Sequence, residues 1–200
     1  MRAAAHTSSS GAFSLLEMLI VLALIIVLTV MTAGRMSTSA RKRELGACAG
    51  NLQKIYLALG FYRNDNGAWP SLPDAITAAQ PLSLLVPKGT TDTSIFICPG
   101  SGDKPLPESV SFARHRISYN YYMGLPANSD PQDIILSDWQ VDAQPKRKGS
   151  LLFSLNGKEP ANNHGPAGGN LLTCGGAVVF SAPKADRDLL FSAPVKLLEP

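Results

Sequence analysis

Residues 13–34 read FSLLEMLIVLALIIVLTVMTAG, and this stretch decides how the chain is organised. It contains about 20 mostly apolar residues, the length at which a helix crosses a hydrocarbon core of roughly 30 Å. The apolar region of a secretory signal is shorter, about 7–15 residues, and ends at a small-residue cleavage site. A chain of 200 residues can hardly enclose a helix that is apolar on every side. The sequence therefore predicts a transmembrane helix over residues 13–34.

The composition excludes several classes of protein. Hydrophobic residues make up 45% of the chain and charged residues 16%, whereas a disordered chain has low hydrophobicity and high charge. The net charge of +3 comes without a long basic run, so we expect no nucleic-acid partner. Cys48, Cys98 and Cys174 are too few for a disulfide scaffold and lack the short spacing of a zinc knuckle. Outside the cytoplasm Cys98 could pair with Cys48 or with Cys174, and the sequence does not choose between them.

One carboxylate, Glu17, lies near the beginning of the apolar run. A charge there costs a few kcal/mol unless it is paired or close to the interface. Three alternatives follow for Glu17. Its carboxylate reaches the headgroups, it stays protonated, or it meets a positive charge from another subunit. Residues 11–17, GAFSLLE, together with the apolar run, resemble the prepilin signal of type IV pilins and type II secretion pseudopilins.

The resemblance implies how the amino terminus is processed. A prepilin peptidase would remove the leader, residues 1–12, by cutting between Ala12 and Phe13, and the new amino group of Phe13 would be methylated. Glu17 then becomes the fifth residue of the mature chain, the position that serves subunit assembly in the family. The family usually has Gly before the cut. Gly11 offers a second register, in which Glu17 would be sixth.

The charges that flank the run disagree with the resemblance about orientation. Arg2 is the one Lys or Arg of the leader, whereas Arg35, Arg41, Lys42 and Arg43 follow the run. By the positive-inside rule the later residues would be cytoplasmic. The resemblance implies the reverse and is carried by a more specific motif. We therefore expect a single-pass protein of the cell inner membrane, with a cytoplasmic amino terminus and a periplasmic globular domain over residues 35–200.

Residues 35–63 carry the pattern of an amphipathic helix. Apolar side chains recur there at steps of three and four, which places them on one helical face. They are Leu45, Cys48, Leu52, Ile55, Leu59 and Tyr62. The pattern favours Cys48 as a small buried side chain rather than a reactive thiol. Asn64 to Gly67 provide a stop signal.

After residue 70 the strand signals are short and separated by loops rich in proline and glycine. The candidate strands are 94–98, 117–122, 133–137, 151–154, 170–173 and 177–181. The predicted fold class is therefore α+β. It is pilin-like, with a long N-terminal helix, half membrane-spanning and half amphipathic, packed on a small antiparallel sheet.

Two further blocks resemble a bacterial pseudopilin-like group with a prepilin amino terminus. The first covers residues 48–70 and has the pattern C-x-x-N-L-x-x-I. The second is the group's C-terminal signature, in which a His is followed after nine residues by Asp-Gly in a hairpin. His164 has that spacing here, but Cys174 stands before Gly175 where the group has Asp.

The same segment raises two chemical alternatives. Cys174 with His164 could form a cysteine nucleophile, oriented by Asn163 or Asn170. However, a Cys in a hairpin lacks the helix N-terminus that would activate it, so we expect no enzyme and no catalytic residue.

A metal site is the second alternative. His164, Asp138 and Cys174 could converge, although nothing in their spacing requires it. Asp186 and Asp188 are calcium candidates by composition alone, without EF-hand spacing. We expect neither a metal nor a cofactor.

The function implied by the resemblance is structural. Such a subunit is processed and assembled in the inner membrane into a type II secretion pseudopilus or a type IV pilus-like filament. Its partners would be the prepilin peptidase, other pilin or pseudopilin subunits, the inner-membrane assembly platform and membrane lipid. The alternative is a membrane-tethered extracytoplasmic binding module that does not polymerise.

Overall fold

The computed structural model describes residues 14–108, 110–191 and 194–200, and for 32–38 it describes the backbone. The expected cleavage site at Ala12 and Phe13 lies outside these residues, so its processing stays a prediction. The chain divides into two compact units, one that extends to Ala40 and one that begins at Arg41.

Helix α1 spans Leu15–Asn66. It ends where Gly67 adopts a positive φ of 72° and donates its amide hydrogen to the Arg63 carbonyl at 2.8 Å. Glycine is favoured at such a helix end because it has no Cβ to strain the left-handed backbone.

The first unit contains the early turns of α1, and its apolar side chains are exposed. From Leu15 to Met31, fourteen large apolar side chains are between 47% and 82% exposed. Glu17, in the first turn, is exposed as well. Among the described residues, no helix is both long enough and apolar enough to cross a membrane.

In the second unit, the later turns of α1 bury their apolar face. Cys48, Leu52, Ile55 and Leu59 are fully buried, as the three-and-four spacing predicts. They pack in one core with residues of the sheet, Tyr119, Tyr121, Leu136 and Leu172.

In the part of the chain that the structure describes, the sheet has five strands, all paired antiparallel in the order β4-β3-β2-β1-β5. The strands are β1 Tyr119–Met123, β2 Ile134–Asp138, β3 Gly169–Thr173, β4 Val178–Ser181 and β5 Lys196–Leu198. A short helix, α2, spans Ala79–Leu82. An N-terminal helix with a small antiparallel sheet confirms the α+β class.

Two candidate strands are wrong. Thr93–Phe96 forms a 3-10 helix, because the Asp92 carboxylate caps it by accepting a hydrogen bond from the Ser94 amide at 3.1 Å. Residues 151–154 form no strand, and Leu151 makes one isolated bridge to Lys184. The sequence did not indicate β5, which has three residues.

Candidate metal centre

Four side chains from distant parts of the sequence meet inside the second unit. Cys48 comes from α1, Cys98 follows the 3-10 helix Thr93–Phe96, Asp138 ends β2, and His164 precedes a single 3-10 turn. Their potential ligand atoms all lie within 4.8 Å of one another, and all four residues are buried. Such convergence is what a protein metal site requires.

The Asp138 carboxylate is the centre of this cluster. Its Oδ1 accepts from Cys48 Sγ at 3.0 Å and from Asn163 Nδ2 at 3.3 Å. Its Oδ2 accepts from the Asn170 backbone amide at 2.7 Å and lies 3.1 Å from His164 Nε2. These four partners satisfy a carboxylate that burial would otherwise destabilise.

Each of the two cysteine sulfurs contacts one member of this carboxylate–imidazole pair. Cys98 Sγ is 3.4 Å from His164 Nε2 and accepts from the Gly100 amide at 3.4 Å. Cys48 Sγ lies 3.5 Å from the Tyr119 hydroxyl oxygen. Each sulfur therefore has a polar neighbour besides the other members of the cluster.

Gly100 allows the loop that carries Cys98 to approach the His164 segment. A Cβ at this position would lie 2.3 Å from the Asn163 carbonyl oxygen and 2.9 Å from His164 Nδ1. The first of these atoms belongs to the backbone and has little freedom to move. A side chain at position 100 would therefore separate the two segments.

The cluster shifts the protonation of its members. Burial raises the pKa of the Cys48 thiol, and the hydrogen bond with Cys98 and the Asp138 charge raise it further. Burial lowers the pKa of His164, but the hydrogen bonds to Asp138 and Cys48 and the charges of these two groups together outweigh burial and raise the pKa to about 10. Without a cation, Cys48 is thus a neutral donor to the carboxylate, and His164 is a cation beside it.

This geometry does not suit a nucleophile–base–acid relay. In such a relay the imidazole faces the nucleophile with one nitrogen and the carboxylate with the other. Here His164 faces both Cys98 and Asp138 with Nε2. Its Nδ1 is buried and has no hydrogen-bond partner among the described residues. Buried ligand atoms around one point instead suit a bound ion.

Cys174, which the sequence analysis weighed as a partner of His164, lies elsewhere. Its amide donates to the Asp133 carbonyl at 2.8 Å, next to the start of β2, whereas Asp138 ends that strand. Five residues of strand span about 17 Å. A nucleophile or a metal site that combines Cys174 with His164 is therefore wrong. All three cysteines are free thiols, so neither disulfide considered from the sequence is present.

Cys174 and Gly175 lie in the turn between β3 and β4, as the signature predicts. The Cys174 side chain is nevertheless buried, at 5% exposure, rather than at an open tip. Burial and then the Asp133 charge raise its pKa to about 11. Gly176, with φ 87°, packs so closely on Tyr56 that a Cβ would lie 2.5 Å from the ring.

Asp186 and Asp188 do not form a cation site in the structure. Both are exposed. Asp186 pairs with its neighbour Arg187 at 3.4 Å, and the Asp188 Oδ1 accepts from the Lys148 amide at 2.7 Å. Within the described ranges, the one group with three or more converging ligands is the buried cluster.

Sequence reasoning found half of this cluster. It named Asp138 and His164 as possible ligands but joined them to Cys174, and it assigned Cys48 to the apolar face of the helix. The prediction that the Cys48 side chain is buried is confirmed. The hydrogen bond from Cys48 to Asp138, ninety residues further along the chain, was not predicted. No short-range spacing signals such an arrangement.

Comparisons with protein-family models, with curated proteins and with solved structures find no match to this chain. The fold class and the buried cluster therefore stand on the structure itself.

Proposed function

We propose that this chain is a prepilin-like structural subunit, anchored in the inner membrane by its N-terminal helix and assembled into a pseudopilus or pilus-like filament. One observation carries the proposal, namely the fourteen exposed large apolar side chains between Leu15 and Met31. A continuous exposed apolar surface of this size is typical of segments that contact lipid or other subunits. In this proposal the membrane-spanning segment is the whole apolar run of the sequence, residues 13–34.

The distribution of apolar residues around the early turns supports an apolar environment on all sides. Residues 18–28 read MLIVLALIIVL and leave no polar face. A helix without a polar face is stable when lipid or protein surrounds it. In a pilus-like filament the helix meets both environments in turn. Lipid surrounds it before assembly, and neighbouring helices surround it in the filament core.

Glu17 gives the proposal its chemical detail. Cleavage after Ala12 would create a positive amino group on Phe13, four residues before this carboxylate. In a bundle of neighbouring helices the two charges neutralise each other, which favours one axial register between subunits. The unit from Arg41 onward would then lie in the periplasm, with its own core.

The experiment is mass spectrometry of the N-terminal peptide of native protein extracted from membranes. The proposal predicts a mature chain that begins with N-methylated Phe13. A strain without prepilin peptidase is the matched control and should retain Met1–Ala12. Native protein that keeps this leader while the peptidase is active would overturn the proposal.

A further inference from the structure

The buried cluster of Cys48, Cys98, Asp138 and His164 has the composition and geometry of a site for a divalent transition metal. We infer that these four side chains bind one zinc ion, and that this ion fastens α1 to the sheet of the second unit. The inference does not depend on membrane anchorage or on filament assembly.

The distances suit tetrahedral coordination. Zinc bonds of about 2.0–2.3 Å to N, O and S place neighbouring ligand atoms about 3.3–3.8 Å apart. The contacts of Cys48 Sγ with Asp138 Oδ1 (3.0 Å), of His164 Nε2 with Asp138 Oδ2 (3.1 Å) and of Cys98 Sγ with His164 Nε2 (3.4 Å) fall near this range, and either carboxylate oxygen could be the ligand. No pair of ligand atoms is further apart than 4.8 Å. Changes of an ångström or less in side-chain position would complete the tetrahedron.

The donor set selects the metal. Two thiolates and an imidazole favour zinc or a similar borderline-soft ion, whereas calcium and magnesium take oxygen ligands. Metal binding would displace the protons of Cys48, of Cys98 and of His164 Nε2, because thiolates and a neutral imidazole are the ligand forms. Four protein ligands fill the coordination shell, which is the arrangement of structural rather than catalytic zinc sites.

Neighbouring donors already point at the ligand atoms, as they do around protein metal sites. The Gly100 amide donates to Cys98 Sγ, and the Asn170 amide and Asn163 Nδ2 donate to Asp138. Zn²⁺ would neutralise two of the three negative charges of the thiolates and the carboxylate, and these hydrogen bonds would offset the remaining one. The close approach that Gly100 permits brings Cys98 and His164 together.

The test uses the full chain, purified in detergent under reducing conditions and incubated with Zn²⁺, with bound metal then counted by elemental analysis. One zinc per chain is expected for the wild type. Cys98→Ser and His164→Gln should lose it, whereas Cys174→Ser should keep it. Cys174 is the matched control because it is equally a buried free thiol but lies outside the cluster.

A second measurement replaces zinc by Co²⁺ and does not depend on how well any variant folds. The wild type should develop the intense visible absorption of tetrahedral cobalt bound to thiolates. Cys174→Ser should show the same spectrum. Wild-type protein that binds neither metal, a disulfide between Cys48 and Cys98 in the native protein, or equal loss of metal in Cys174→Ser would each overturn the inference.

The donors around the ligands provide a finer test. Asn163→Ala removes one hydrogen bond to Asp138, together with the bond from the same Nδ2 to the Ser118 carbonyl, and leaves all four ligands in place. It should weaken zinc binding about 10-fold in competition with a chelator, the lower end of the effect seen for such neighbours. Unchanged affinity would contradict the role of Asn163 as a positioning residue.

Discussion

The early and late turns of α1 present apolar side chains in opposite ways. From Leu15 to Met31 these side chains cover the helix and remain exposed, whereas from Arg41 to Asn66 most of them form one face that is buried in the core, and Leu57 and Phe61 are exposed. Both stretches are helical, and the early one is much richer in leucine and isoleucine than the late one. The difference shows that the number of apolar residues and their arrangement together indicate what surrounds a helix.

Matched leucine substitutions should give the largest contrast between these stretches. Leu52 is fully buried and Leu22 is 57% exposed. Leu52→Ala should lower the free energy of unfolding of the second unit by about 3 kcal/mol, because it leaves a cavity in the core. Leu22→Ala should leave that free energy unchanged. Denaturant unfolding followed by tryptophan fluorescence measures both, and equal effects would break the comparison.

The hairpin that covers the late turns should be nearly as sensitive. The Tyr56 hydroxyl donates to the Cys174 carbonyl at 3.2 Å, and the Cys174 side chain is buried. From the sequence alone, we expect Cys174→Asp to be tolerated, because Asp-Gly suits a hairpin turn. The burial reverses that expectation, and the variant should lose about 2 kcal/mol because a carboxylate enters an apolar core. A thermal melt at neutral pH checks this. A melting temperature like that of the wild type would restore the open-tip interpretation.

A hydrogen bond between α1 and β3 should contribute less. Asn170 Nδ2 donates to the Leu45 carbonyl at 3.1 Å. Asn170→Ala should cost about 1 kcal/mol, the usual net value of one buried hydrogen bond. The exposed Asn128, replaced by Ala, is the control and should cost less. Equal denaturant midpoints for the two variants would show that this hydrogen bond does not contribute to stability.

The sequence predicts some of these features for clear physical reasons. The buried face of α1 follows from a helical period, and β1 to β4 follow from short runs of β-branched, aromatic and leucine side chains between loop signals. The 3-10 helix at Thr93–Phe96 escapes the same reasoning, because a side-chain cap from Asp92 outweighs the strand propensity of two isoleucines.

The metal cluster could not be predicted in full because it depends on tertiary packing. Cys48 and Asp138 are ninety residues apart, and Cys98 and His164 are separated by sixty-six. Cys48 and Asp138 come together only because α1 packs against the end of β2 in the folded chain. Because Cys48 lies on the apolar face of the helix, its sequence position gives no sign of the polar contact with Asp138.

The smallest effect on folding should come from the early turns. Glu17→Val should leave the free energy of unfolding of the second unit unchanged. If the chain is anchored as proposed, the variant should also insert into the membrane, because it removes a charge from the apolar run. Crosslinked oligomers in membranes should decrease. Thr29→Val is the control, since it removes a polar group from the same helix without changing charge. An unchanged oligomer yield for Glu17→Val would favour a tethered module that does not polymerise.

The most direct test of the two-part account is the fragment Arg41–Pro200 without the early turns of α1. The account predicts that this fragment is soluble without detergent, monomeric by analytical ultracentrifugation, and unfolds in a single cooperative transition. It predicts this because the buried face of the late turns is covered by the fragment's own sheet. A fragment that aggregates or melts without cooperativity, while the full chain in detergent unfolds cooperatively, would contradict the account.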